Sequence, residues 1–237
     1  MIKKPKIAAL MILLLINGYV STGQDVIKSG NIKPADVKSF KTADIGNPAI
    51  AGVTEASNSV KGGFNLTAGG ADVWGVKDEF GFIYFEKSGD FDFMTQVESL
   101  TAPHLYTKAG IMAREDLTAG SRHIFFQLFP DNRPRNKNNG GFEFQYRQLA
   151  NVEMKAIYPA VSTGTPEFPV AFPNTWIRLR RVKNDFTGYY STDGLNWKVY
   201  TTYSLDLPSK VYLGLALTSH NIAESATAAF RNIGEIK

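Results

Sequence analysis

The chain of 237 residues contains no cysteine and only three histidines. Disulfides and thiolate metal sites are excluded, and histidines so widely spaced make no zinc pattern. No stretch reads as an amphipathic helix. The one long apolar run is Ile7 to Ile16, preceded by Lys3, Lys4 and Lys6 and followed by the small residues Ser21 and Gly23. That is the layout of an export signal over residues 1–23, cleaved before Gln24. The run is too short to span a bilayer in the mature chain. No Cys lies near the cleavage point to carry a lipid, so the expected location is periplasmic or extracellular.

Charge of one sign is also scarce. Three of the 26 Lys and Arg leave with the signal while all 22 Asp and Glu remain, so the positive excess falls from four to one. A nucleic-acid binder needs a basic stripe, and the one basic loop, Arg133-Pro134-Arg135-Asn136-Lys137, is short and reads as solvated. No nucleic-acid partner is expected. Without disulfides, stability must come from one sizeable core.

What the chain does have is strand periodicity. Trp176 to Val182 alternates Ile177 and Leu179 with Arg178 and Arg180, which is the period of a strand with one buried face. A turn at Asn184-Asp185 and a second at Asp193-Gly194 divide residues 176 to 200 into three strands. Ser191-Thr192-Asp193-Gly194-Leu195-Asn196-Trp197 resembles the S-x-D-G-x-x-W hairpin of secreted glycan-active proteins, and its expected role is to hold the turn. One copy argues against a propeller, which would repeat it blade after blade. Further strands are expected over 80–86, 91–98, 107–114, 123–129, 141–149, 211–218 and 227–236. This predicts an all-β chain, a two-sheet antiparallel β-sandwich of jelly-roll type, with residues 24–43 as an arm and 44–237 as the domain.

Three segments add a family resemblance. Ala71-Asp72-Val73-Trp74-Gly75 with Asp78-Glu79-Phe80, Lys108 to Glu115, and Leu215 to Asn221 resemble the DUF1349 family of concanavalin A-like sandwich domains, from about Asp44 to the C-terminus. Phe144-Gln145-Tyr146-Arg147 and the 189–197 hairpin follow in the family's order. The resemblance implies the concanavalin A-like fold and glycan binding or processing. At Gly81 many members carry a His, so no role is carried over there.

Parity places the candidate site. On three consecutive strands Ala109, Ile111 and Ala113, then Ile124, Phe126 and Leu128, then Phe142, Phe144 and Tyr146 mark a core face. The opposite face carries Lys108, Arg114, His123, Gln127, Glu143, Gln145 and Arg147, donors and acceptors suited to sugar hydroxyls or to a solvated sheet face. Symmetric closure of the connecting loops sets Arg114, His123 and Arg147 in one row. Flanking guanidiniums would keep His123 neutral. Trp74 either offers its ring to a sugar or packs in the core.

A glycosidase needs two carboxyls facing one sugar. This face offers only Glu143 plainly. No nucleophile elbow or phosphate-binding glycine motif is present. The expected function is therefore a secreted, non-catalytic carbohydrate-binding sandwich that takes an oligosaccharide or polysaccharide on the polar face. The alternatives are a glycan hydrolase and a structural or adhesive domain. No cofactor is expected, though a structural calcium is compatible with the sequence. Oligomeric state has no signature here.

Overall fold

A computed structural model describes residues 26–57, 59, 61–130, 141–157 and 170–237. The expected signal segment and the basic loop at 133–137 lie outside these residues. In chain order the strands are β1 (Ile27–Lys28), β2 (Ile32–Pro34), β3 (Lys41–Ile45), β4 (Val53–Ala56), β5 (Phe64–Ala68), β6 (Val73–Trp74), β7 (Lys77–Asp78), β8 (Phe80–Ser88) and β9 (Phe91–Leu100). They continue with β10 (Lys108–Arg114), β11 (His123–Leu128), β12 (Phe142–Arg147), β13 (Lys155–Ile157), β14 (Trp176–Val182), β15 (Asp185–Ser191), β16 (Asn196–Ser204), β17 (Lys210–Thr218) and β18 (Ala226–Ile236). The one helical turn among them is a 3-10 turn at Val37–Ser39. No helix among the described residues is long and apolar enough to cross a membrane.

Two antiparallel sheets hold almost all of this. One runs β13-β12-β11-β10-β17-β8-β3, the other β1-β16-β15-β14-β9-β18-β5-β4 with β2 also paired to β18, and β6 and β7 form a separate two-stranded ribbon. The core lies where inward residues of both sheets interdigitate: Ile83, Ile111, Phe126, Phe144 and Leu215 meet Leu66, Phe93, Ile177, Leu179, Phe186 and Phe230. Each of these large apolar side chains contributes about 1.5–3 kcal/mol on burial. Together they do the work that disulfides do in smaller secreted domains. The fold is thus the expected two-sheet antiparallel β-sandwich.

The close approach of the sheets also explains Gly81. A Cβ there would lie 2.6 Å from the Ala68 Cβ, so the strand tolerates no side chain at that point.

Local differences from the sequence reading have physical causes. The first hairpin turn is Lys183–Asn184, because Val182 pairs with Asp185 and Lys183 takes a φ of 55°. The arm over 24–43 is built into the sandwich: Ile27 and Lys28 pair with Trp197 and Asn196, and β3 begins at Lys41 as an edge strand. The Trp197 indole is fully buried and donates to Ser29 Oγ at 2.7 Å. Arm and hairpin therefore order each other.

The second turn is held as the hairpin motif suggests. Asp193 Oδ1 accepts from the backbone N–H groups of Leu195 and Asn196 at 2.8 Å each, and from Ser191 Oγ at 2.9 Å. The bond from Asn196 leads in holding the Asp193 carboxyl below the usual carboxylate range. Gly194 has φ 72°, and a Cβ on it would come within 2.8 Å of the Trp176 ring. Gly194→Val should therefore destabilise the protein by about 2 kcal/mol, combining left-handed strain with a clash. Urea denaturation measures this, and an unchanged midpoint would refute it.

Candidate functional site

The predicted row is present in the expected register. Arg114 pairs with His123, and His123 with Arg147. Gln127 stands opposite Glu143, and Gln145 opposite Phe125. All seven of these strand-borne candidates, Lys108 included, share one face of the seven-stranded sheet.

That face is not solvated. Every residue of β10 and β11 is buried on both sides. The cover comes from far along the chain: Val73 of the ribbon and Met154 join Phe80, Phe82, Met112 and Phe125 in a second apolar cluster, with Leu117 packed against it.

Ion pairs fix the ribbon at both ends. At one end Lys108 Nζ donates to Asp72 Oδ1 at 2.6 Å and to the Val73 carbonyl at 3.1 Å. At the other, Arg147 grips both oxygens of Asp78 at 2.7 Å. Its Nη2 also donates to the Gly75 carbonyl at 3.0 Å. Arg114 Nη2 lies 3.6 Å from Asp78 and donates to the carbonyls of Asp116, through Nε, and Thr118. Asp78, Arg114, His123 and Arg147 are all fully buried. The two guanidiniums expected to face a ligand thus spend their donors on the protein, because Asp78 and the loop carbonyls reach them first.

His123 sits inside this cluster. Its Nδ1 is 3.0 Å from the Ser121 carbonyl and 3.7 Å from Asp78 Oδ2. Burial lowers its pKa to about 4, Asp78 opposes the shift, and Arg114 and Arg147 reinforce it. The ring is neutral at pH 7, as the sequence implied, but desolvation is the larger cause. Burial likewise draws Arg114 down to about 10, which leaves it a cation at neutral pH.

The other end of the face is differently built. Gln145 Nε2 donates to Glu143 Oε1, and Gln127 Nε2 lies 3.5 Å from the same oxygen. Gln127, Glu143, Gln145 and Lys108 are buried, whereas the Trp74 side of the ribbon reaches solvent, with that residue 41% exposed. The Lys108 ammonium is 5.4 Å from the Trp74 ring centroid, within the range of a cation–π contact. Asp72 also meets His220, whose Nδ1 is 3.2 Å from Asp72 Oδ2. Burial works against the Asp72 charge, but His220 and Lys108 outweigh it and hold the carboxyl below its usual range. The His220 ring stacks on His104 at 4.3 Å, and His220 takes a φ of 54°.

Sequence reasoning missed Asp72, Asp78 and the His104–His220 stack. The available signal for an acidic partner was two Arg on one sheet face with a single Glu to balance them. No group of three or more potential metal ligands occurs among the described residues.

No family model matches the chain, and no curated protein does. Solved structures match its fold. A functionally unknown protein from Saccharomyces cerevisiae superposes with a TM-score of 0.56 at 12% identity, over 84% of this chain and 96% of that one. The carbohydrate-binding module CBM66 from Bacillus subtilis gives 0.48 at 12% identity over 81% and 98% of the two chains. Lectin II from Ulex europaeus gives 0.46 at 12% over 83% and 97%. At this identity the first likeness is one of fold, and it assigns no activity.

Proposed function

We propose that the chain is an exported carbohydrate-binding sandwich, whose glycan is held where the polar face of the seven-stranded sheet meets the ribbon. The observation that carries this is Trp74: a half-exposed indole beside the buried Lys108, which pairs with a partly buried Asp72 that also meets His220. An aromatic face next to fixed donors and acceptors suits the apolar face and the hydroxyls of a sugar ring. Lys108 is a diagonal neighbour of Gln127 across the β10–β11 pair, at roughly 7–8 Å between Cα atoms. The rim is therefore continuous with Gln127, Glu143 and Gln145. Arg114, His123 and Arg147 act behind them by anchoring Asp78 and so the ribbon that carries Trp74.

A glycan array on the mature protein, followed by calorimetry, tests the reading. Trp74→Ala should weaken binding by about tenfold or more, the scale of losing an aromatic contact. The melting temperature should hardly change, because so exposed a side chain contributes little to the core. Binding that survives this substitution intact would place the ligand elsewhere.

A further inference from the structure

We infer a second binding site at an open end of the sandwich, a pocket that takes a small zwitterion with an apolar side group, of the class of hydrophobic α-amino acids. It lies between the two sheets and shares no residue with the Trp74 rim. It therefore stands apart from the glycan-binding reading.

The pocket forms where the core alternation stops. Ile83, Phe85 and Lys87 share the inward parity of β8, and the change from apolar to charged marks the point where water reaches between the sheets. On the facing sheet Phe93 pairs with Glu235, and Glu235 with Lys33 of β2. Residues directly opposite one another share a face, so Lys33 and Glu235 stand on the side of the buried Phe93. The β2–β3 segment then folds across the gap: the Ala35 N–H donates to the Ile233 carbonyl at 2.9 Å, and Phe40 packs edge-on against Phe85 at 5.0 Å. What remains is an open-mouthed pocket of about 290 Å³, near the lower bound of the roughly 300–1,000 Å³ of small-molecule sites. A single small molecule suits this space.

Its two ends differ in chemistry. Phe40, Phe85 and Phe93 form an apolar inner wall, while charges of both signs stand at the mouth on Lys33, Asp36, Lys87 and Glu235. Lys87 Nζ and Glu235 Oε1 close on each other at 2.6 Å, from one sheet to the other. Lys33 and Asp36 make no ion pair among the described residues, and Asp36 Oδ1 caps the 3-10 turn by accepting from the Lys38 N–H at 3.1 Å. One cation and one anion are left to face a ligand.

A singly charged ligand would satisfy one of these groups and meet the other as a like charge. A zwitterion answers both. Its carboxylate accepts from the Lys33 ammonium, and its own ammonium donates to the Asp36 carboxylate. The side group goes to the phenylalanine wall, where its removal from water drives binding.

Calorimetry on the protein tests this with L-phenylalanine and L-leucine, glycine as a zwitterion without a side group, 3-phenylpropionate as the anion and 2-phenylethylamine as the cation. Phenylalanine and leucine should bind, with glycine about tenfold weaker or more for want of the apolar contact. Each singly charged analogue should be about fivefold weaker than phenylalanine, the scale of one charged contact at a solvated mouth. Lys33→Met should weaken phenylalanine and 3-phenylpropionate by a similar factor and not weaken 2-phenylethylamine. Asp36→Asn, which keeps the cap on the turn, should do the reverse. A merely structural role would lower the melting temperature without this crossed pattern. Ala35→Leu, which fills the pocket from its wall, should abolish binding; if that variant does not fold, the two charge variants at exposed positions decide the matter. An anion or cation that binds as tightly as phenylalanine overturns the ligand class. Parent-like affinity in the variants, or no binding by any of these compounds, overturns the site and leaves the glycan-binding reading standing.

Discussion

Replacing Asp78 by Ala is expected to cost the fold about 3–5 kcal/mol, the scale for leaving a buried charge without its partner. Asp78 is fully buried, chelated by Arg147 and 3.6 Å from Arg114. Its loss leaves two desolvated guanidiniums facing one another with carbonyls and the Met112 sulfur, but no carboxylate in contact, to take up their donors. Equilibrium denaturation in urea reads the effect, and a loss under about 1 kcal/mol would mean the carbonyls suffice. The double variant Asp78→Leu with Arg147→Met should recover much of the loss, since most of the cost lies in the orphaned charge. If the double variant is no more stable than the single, the pair has a large net value of its own.

The second large effect is an acid sensitivity set by His123. Above about pH 6.5 the imidazole is neutral in both folded and unfolded chains, and the full stability is present. As the pH falls, the unfolded chain takes up a proton that the folded protein refuses until about pH 4. Stability is therefore lost across that window, by on the order of 3 kcal/mol in all, and levels off below it. The carboxyls of Asp72, Asp116 and Asp193 are held below the usual range, so they lose their stabilising contributions at lower pH. His123→Gln should flatten the stability profile between pH 6.5 and 4. The same slope in parent and variant would assign the sensitivity to another group.

Strand positions were legible because alternation is a local property. Phe91 to Glu98, Val211 to Thr218 and Thr227 to Ile236 fall within two residues of the observed limits of β9, β17 and β18. Parity and register of the candidate face were legible for the same reason, since each strand shows its core residues by periodicity. What covers that face was not. Asp78 reaches Arg147 across 69 positions and Asp72 reaches Lys108 across 36, and no local pattern encodes such distances. The strands within the arm were not legible for a related reason. Short strands such as β1 and β2 have too few residues to show a period, and gain their structure from Trp197 and β18.

The meeting of Asn31 and Ile32 with the C-terminal residues has a practical consequence. Ile32 pairs with Ile236, and the Lys237 N–H donates to the Asn31 carbonyl at 2.9 Å. Both chain directions thus arrive side by side on the nine-stranded sheet, while the ribbon and Trp74 lie over the outer face of the other sheet. A support, reporter or neighbouring module attached ahead of Asn31 or behind Lys237 would present the ribbon side outward in much the same orientation. Immobilised binding assays should therefore give one answer whichever end is tethered.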